Sequence, residues 1–269
     1  MNILVLSPHR DDAAFSLSLS IAHWLSAGHR VTLLNVFTRS LYAPYSDADF
    51  VHDNDRLSYI SAMRRKEDES FLKRLPGLTM VDLNLKDAPI RLRCDASIVC
   101  DMDADPADTA IPKIQKALTT QAAAPRPMQA LVLPLGLGHH VDHRVARDAA
   151  LTFSTTLPTA FYEELPYATR EGVRVDLSRF REDVNTRLHE PLHPVLVHGT
   201  NTHPTDFKLR IAHLYASQID DDLAHTIANF SHRYQGAERL WANEQWLAKA
   251  VDNKLSTSQR DQEAKPLPS

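Results

Sequence analysis

The sequence predicts a Rossmann-like three-layer α/β/α sandwich built on a mostly parallel sheet. Three observations carry this. Strand, helix and strand follow one another within the first forty residues, and a parallel strand pair needs such a crossover. The same alternation recurs down the chain, as in other α/β sandwiches. Hydrophobic residues make up 43% and charged residues 24% of 269 positions, a balance that buries a sizeable core and excludes whole-chain disorder.

Residues 3–7, ILVLS, form a short apolar run stopped by Pro8 and read as a buried strand. The segment from Asp11 to Ala27 is rich in Ala, Leu and Ser and ends at Gly28, a natural residue just past a helix end. Asp11 or Asp12 is placed to cap it. Residues 30–38, RVTLLNVFT, are the second strand. A polar loop with aromatic residues spans 40–54, and a charged amphipathic helix spans 55–74. Residues 78–85 read as a strand, 107–122 as a helix, 129–135 as a strand, 141–154 as a helix and 159–164 as a strand. The stretch 170–200 reads as mixed, a short strand or hairpin excursion with PVLVH as one strand. Helices are expected over 204–225 and 236–250. We therefore expect one domain over 1–250, followed by a polar, disordered tail over 251–269 that ends in prolines.

Composition removes several classes of function. Thirty basic against 34 acidic residues give a formal charge of -4, which leaves no global footprint for nucleic acid. Two cysteines, Cys94 and Cys100, make no disulfide framework and fit a reducing compartment. No basic segment precedes the first apolar run, so no signal peptide is expected. The longest uncharged run, between Asp12 and Arg30, carries four serines and reads as a buried helix, not a membrane span. The expected location is the cytoplasm.

The first strand-to-helix turn carries the chemistry. A dinucleotide site would place glycines there. Instead the turn reads SPHRDDAAFS, with His9, Asp11 and Asp12, and the whole chain has only seven glycines. A second cluster, GLGHHVDH, places His139, His140, Asp142 and His143 after the strand at 129–135. Ends of neighbouring parallel strands lie close together, which brings His9 and Asp12 within reach of His143. Three N/O ligands with an open position are the composition of a catalytic zinc site. A structural site would favour cysteine, and neither cysteine is near these turns in the sequence.

PHRDD followed by HVDH resembles the PIG-L/LmbE family of zinc-dependent N-deacetylases, whose motifs are usually written PHPDDE and HPDH. RRKEDESFLKRL with DLNLKDAPIR, FYEELPYA, LRIAHLYASQI and AERLW also look like the family, in the expected order over about residues 1–242. DDAAFS resembles a branch with a PHxDDA-type first motif. The resemblance implies that His9, Asp12 and His143 hold zinc, with Fe2+ also permitted by the ligand set. It implies that Asp11 is the general base, that His140, as imidazolium, acts on the oxyanion and leaving group, and that Asp142 is the carboxylate partner of His140. Arg64 is implied as a substrate contact, against the default of a solvated helix face. Arg10 and Val141 stand where the family has prolines, and Gly138 where some members carry a tyrosine.

The expected activity is hydrolysis of a linear amide, removing an acetyl group from an N-acetylated amino sugar or sugar conjugate through a zinc-activated water. The expected partner is that small molecule, and no oligomeric state follows from the sequence. Two alternatives remain. One is a metal-dependent hydratase of unsaturated acids from aromatic ring cleavage, which would need arginines for two carboxylates. The other is a non-catalytic sugar-binding relative. His139, His193, His198 and His203 are expected to be bystanders, while Glu163 and Glu164 could either touch substrate or tie down a loop.

Overall fold

The computed structural model describes residues 1–46, 52–250 and 252–257. Seven strands lie in one sheet: β1 (Asn2–Ser7), β2 (Arg30–Asn35), β3 (Thr79–Asp82), β4 (Ala130–Pro134), β5 (Thr159–Tyr162), β6 (His193–His198) and β7 (Ala237–Ala242). Their order is β3-β2-β1-β4-β5-β7-β6. From β3 to β5 every pairing is parallel, and β7 runs antiparallel between β5 and β6. The expected architecture holds. Every residue of β4 and β5 is buried, as are five of the six in β1. Successive strand residues face opposite sides, so burial of all of them requires cover on both faces.

The covering helices are α1 (Asp12–Ser26), α2 (Asp53–Arg74), α3 (Ala88–Leu92), α4 (Ile111–Ala122), α5 (Val141–Ser154), α6 (Val173–Leu188), α7 (Pro204–Ala212), α8 (Asp221–Asn229) and α9 (Glu244–Ala250). Helix α1 is buried along nearly its whole length, including Ser18 and Ser20. That explains a helix that, after Asp12, has no Asp, Glu, Lys or Arg and no polar face. Among the described residues no helix is long and apolar enough to cross a membrane.

Three expectations are corrected. The stretch 170–200 is no hairpin excursion: it holds the sixteen-residue helix α6 before β6. Only Phe180, Val184 and Leu188 are buried on α6, a stripe of one residue per turn that its charged neighbours mask in the sequence. The helix expected over 204–225 breaks after Ala212 and restarts at Asp221, where the Asp220 side chain accepts the Leu223 N–H. The segment expected to be helical from 236 opens as strand β7. Five of its six residues are buried, so it carries no alternating pattern to betray it. Elsewhere boundaries move by a few residues, and part of the loop expected over 40–54 lies outside the described residues.

The tail begins later than expected. Leu255 is fully buried, and its carbonyl accepts the Trp24 Nε1–H. Trp246 donates to the Ser256 hydroxyl, and Thr257 bonds the Leu196 carbonyl through both its N–H and its hydroxyl. Residues 252–257 thus pack on the body through one apolar anchor and backbone bonds. Residues 258–269 lie outside the described residues.

Candidate metal centre

Strands β1 and β4 are neighbours, and from them the sheet grows outward in opposite directions. Loops leaving such a switch point diverge and open a crevice at the C-terminal strand ends. The turn Pro8–Asp11 leaves β1 there, and the segment Leu135–His140 leaves β4. Asp11 occupies the position before α1, but its side chain makes no capping bond. Asp12, the first residue of α1, turns back so that its Oδ2 accepts the His9 N–H at 2.7 Å. Neither aspartate serves the helix as a side-chain cap.

Three ligand atoms converge. His9 Nδ1 lies 3.4 Å from Asp12 Oδ2 and 3.3 Å from His143 Nε2, and His143 Nε2 lies 3.3 Å from the same Asp12 oxygen. This near-equilateral triangle has a simple test. A tetrahedral edge is about 1.63 times the bond length, so ligands ~2.0–2.1 Å from zinc stand ~3.3–3.4 Å apart. The residues present therefore fit one face of a tetrahedral divalent-cation site. Their charges agree. Burial would lower His9, but hydrogen bonds and charge from Asp12 and Asp142 raise it to about 9. His143 is likewise raised well above its ordinary value, against burial, by Asp12 and Glu164. Burial opposes ionisation of Asp12 as well, yet the two histidines hold its carboxyl well below the usual range. Positive charge is wanted at the centre of the triangle.

Each histidine is held from behind by a carboxylate. His9 Nε2 stands 3.1 Å from Asp142 Oδ2, and His143 Nδ1 stands 3.4 Å from Glu164 Oε1. These contacts assign the ring protons to the outer nitrogens and point the lone pairs into the triangle. Glu164 also accepts the Gly136 and Leu137 N–H groups, which ties down the loop after β4. Of the two roles open for Glu164, the loop tie is the one realised. Glu163 instead binds Tyr234, Arg239 and Trp241.

Asp142 corrects an expectation. Its carboxylate was assigned to His140, but it accepts from His9, from the Ala88 N–H and from Arg91. Only the backbone N–H of Asp142 meets His140, donating to Nδ1 at 3.1 Å. The reason is local: His140 is the residue before α5, and a residue two places on presents its N–H, not its side chain, to a capping group. With Nδ1 accepting, the His140 proton sits on Nε2. Burial, reinforced by the positive charge of His9 and His143, pushes His140 well below the ordinary histidine value. That direction runs against the imidazolium expected from the sequence.

Arg64 is buried and donates to Asp11 Oδ1 at 2.9 Å, so it does not lie on a solvated face. Arg10, the residue in place of a proline, runs beneath the turn and pairs with Asp68 and Asp82 at 2.6 Å each. The crevice is a cavity of about 410 Å³ whose lining includes His9, Asp11, Arg64, Asp87, His140 and Tyr167. Cys100 also lines it, contrary to the expectation that both cysteines are remote. A bond from the Val141 N–H to the Val99 carbonyl folds that segment against the start of α5. His139 pairs with Asp176, His193 with Glu244 and His198 with Thr257, all outside the triangle. Sequence reasoning gave no role to Arg91, Asp87 and Tyr167, although the first two stand inside the quoted DLNLKDAPIR stretch.

Comparison with known proteins agrees with this picture. The family profile PIG-L, described as GlcNAc-PI de-N-acetylase, matches residues 4–154. A 2'-N-acetylparomamine deacetylase of Niallia circulans is 27% identical over 186 residues, which span 61% of this chain and 66% of that protein. The zinc-inhibited form of teicoplanin deacetylase superposes with a TM-score of 0.64 at 21% identity, covering 90% of this chain and 97% of that one. The A40926 pseudoaglycone deacetylase gives 0.61 at 21% identity, over 89% and 96% of the two chains. At such identities the structural likeness is one of fold.

Proposed function

The chain belongs to the PIG-L family, and from that premise we propose that it is a cation-dependent hydrolase removing the acetyl group from an N-acetylated amino sugar or its conjugate. The observation that carries this reading is the triangle of His9, Asp12 and His143, whose edges of 3.3–3.4 Å suit zinc or ferrous iron. The Niallia circulans relative, named for deacetylating 2'-N-acetylparomamine, supports the substrate class. The catalytic unit is one domain, extended by its packed tail to Thr257.

When bound, the cation supplies Lewis acidity to a water and to the acyl oxygen. The chain's own groups do the rest. Asp11 takes a proton from the attacking water, and Arg64 holds one carboxylate oxygen so that the other is presented. The water oxygen bonds the acyl carbon, and the carbonyl electron pair moves onto oxygen. His140, protonated on Nε2, donates a hydrogen bond to that developing charge. The carbon–nitrogen bond then breaks, and the proton held by Asp11 leaves with the amine. Asp142 and Glu164 keep His9 and His143 oriented throughout. A hydratase would need arginines free for two carboxylates; of the two that line the cavity, Arg64 is engaged by Asp11, which leaves Arg170 for one carboxylate and none for a second.

The test is acetate release from a panel of N-acetyl amino sugars by zinc-loaded and iron-loaded protein, with Asp11→Asn and Asp12→Asn beside the wild type. Asp11→Asn should keep its metal and lose about 10²–10⁴-fold in kcat. Asp12→Asn should lose metal first, with partial rescue by excess zinc. Wild-type protein that holds the metal and releases no acetate from any of the panel would sink the reading.

A further inference from the structure

Beside His143 the cavity wall is Tyr167, the first residue of the 3₁₀ turn Tyr167–Thr169 after β5. Its ring is fixed from three sides. It stands edge-on to the His143 ring, centroids 5.5 Å apart and planes at 88°. The Arg170 guanidinium lies 4.6 Å over its centre. On the third side is Gly138, in the left-handed region at φ 77°. A Cβ at Gly138 would fall 2.0 Å from Tyr167 Cδ1 and 2.4 Å from its Cγ. Gly138 is therefore the residue that makes room for this ring, and no other side chain fits there while the ring stays.

Tyr167 is only partly buried, and its hydroxyl contrasts with those of the buried tyrosines. Tyr162 donates to the Leu6 carbonyl, Tyr215 to Asp68 and Tyr234 to Glu163. Among the described residues the Tyr167 hydroxyl has no hydrogen-bond partner, and the residue faces the cavity. A rigidly held phenol without a protein acceptor in a polar cavity is a donor kept for a ligand. Its position selects which part of the ligand. The ring touches a corner of the metal triangle, and the residue shares the cavity lining with His9, Asp11, Asp12 and His140. That is the reacting end of the cavity, not its mouth.

We propose that Tyr167 is a catalytic residue whose hydroxyl donates a hydrogen bond to the acyl oxygen as the carbon becomes tetrahedral. It keeps its own proton and shares the oxyanion with His140 Nε2–H. The assignment rests on the deacetylase reading. Two donors then divide the charge that His140 alone would otherwise meet.

Tyr167→Phe tests it, because the ring and its packing remain. Loss of one oxyanion donor costs about 10²–10³-fold in kcat, so we expect a fall of about 10²-fold with KM little changed and metal stoichiometry unchanged. Binding gives a readout independent of turnover. Glucosamine carrying a methylphosphonyl group on nitrogen presents a tetrahedral oxyanion, and its Kd should weaken by about the same factor, while the Kd of glucosamine itself stays put. Gly138→Ala, which keeps the hydroxyl but displaces the ring, should reproduce the kcat loss. A Tyr167→Phe enzyme with native kcat overturns the proposal. So does equal weakening of both ligands, which would make Tyr167 a sugar contact, or loss of bound metal, which would make it a support for His143. A wild type inactive on the whole panel overturns the deacetylase reading itself, and that outcome is distinct from an active wild type with an equally active variant.

Discussion

An imidazole has two nitrogens, and at His9 and His143 each has a separate duty: one faces the triangle, the other a buried carboxylate. This sets a pH dependence. In the metal-free protein His9 sits at about 9, above its ordinary 6.5. Its favourable contacts are therefore complete below pH 6.5 and fade as pH rises through 9. A cation needs the neutral ring, so binding near pH 7 must expel at least one proton. Zinc affinity should rise by about tenfold per pH unit between 6.5 and 9 for each proton expelled. Calorimetry in two buffers of different ionisation enthalpy counts the protons, and a buffer-independent enthalpy at pH 7 would contradict the assignment. The three residues that converge on the candidate site were legible, because PHRDD and HVDH are local strings that end in ligand-type residues. Their supports were not. Glu164 follows His143 by 21 residues, and Asp142 meets His9 across 133; no window of sequence joins them.

At the level of elements, the turn after β1 is secured by Arg10. The family's proline would stiffen such a turn by fixing φ. Here a guanidinium fastens it to α2 through Asp68 and to β3 through Asp82, and Asp68 also accepts from Asn35 and Tyr215. Arg10→Ala leaves Asp68, a fully buried carboxyl that burial already pushes up to about 7, without its counter-charge, and uptake of a proton then offsets part of the loss. Breaking a buried pair by removing one partner costs about 3–5 kcal/mol. We expect a loss of that order in urea unfolding, together with weaker metal binding because His9 and Asp12 flank the bolt. Arg10→Lys should recover only part of it, since one ammonium cannot match the bidentate pairing with Asp82. The alternation of strands and helices was readable wherever β-branched runs and Gly or Pro punctuation marked the edges. It failed at α6, whose core stripe is one residue wide, and at β7, buried on both faces. Neither presents the periodicity that sequence patterns report.

The whole molecule closes through its C-terminal segment. Leu255 is buried in the same core cluster as Trp24 and Trp246, and their indole N–H groups bond the Leu255 carbonyl and the Ser256 hydroxyl. Fully burying a leucine contributes about 1.5–3 kcal/mol, and each hydrogen bond about 1. A chain ending at Ala250 should therefore be less stable than one ending at Thr257 by at most about 3.5–5 kcal/mol, since ordering the segment offsets part of that gain, measured by denaturant midpoint, with the metal triangle intact. Equal midpoints would mean that the segment merely lies on the surface. Composition drew the boundary too early here, because a single leucine among polar residues gives little warning that it fills a core gap.

The triangle straddles the seam between β1 and β4, and His9 and His143 are 134 residues apart in the chain. That separation makes the centre a late event in folding. A loop of that size must close, and β1 must find β4, before three ligand atoms share one corner. The unfolded chain presents its histidines and aspartates in two separate clusters, with no pocket to gather them. A cation that waits for the finished seam contributes little to the folding barrier and much to the escape barrier. It acts as a latch on the unfolding rate, holding the two halves of the sheet together after they have met.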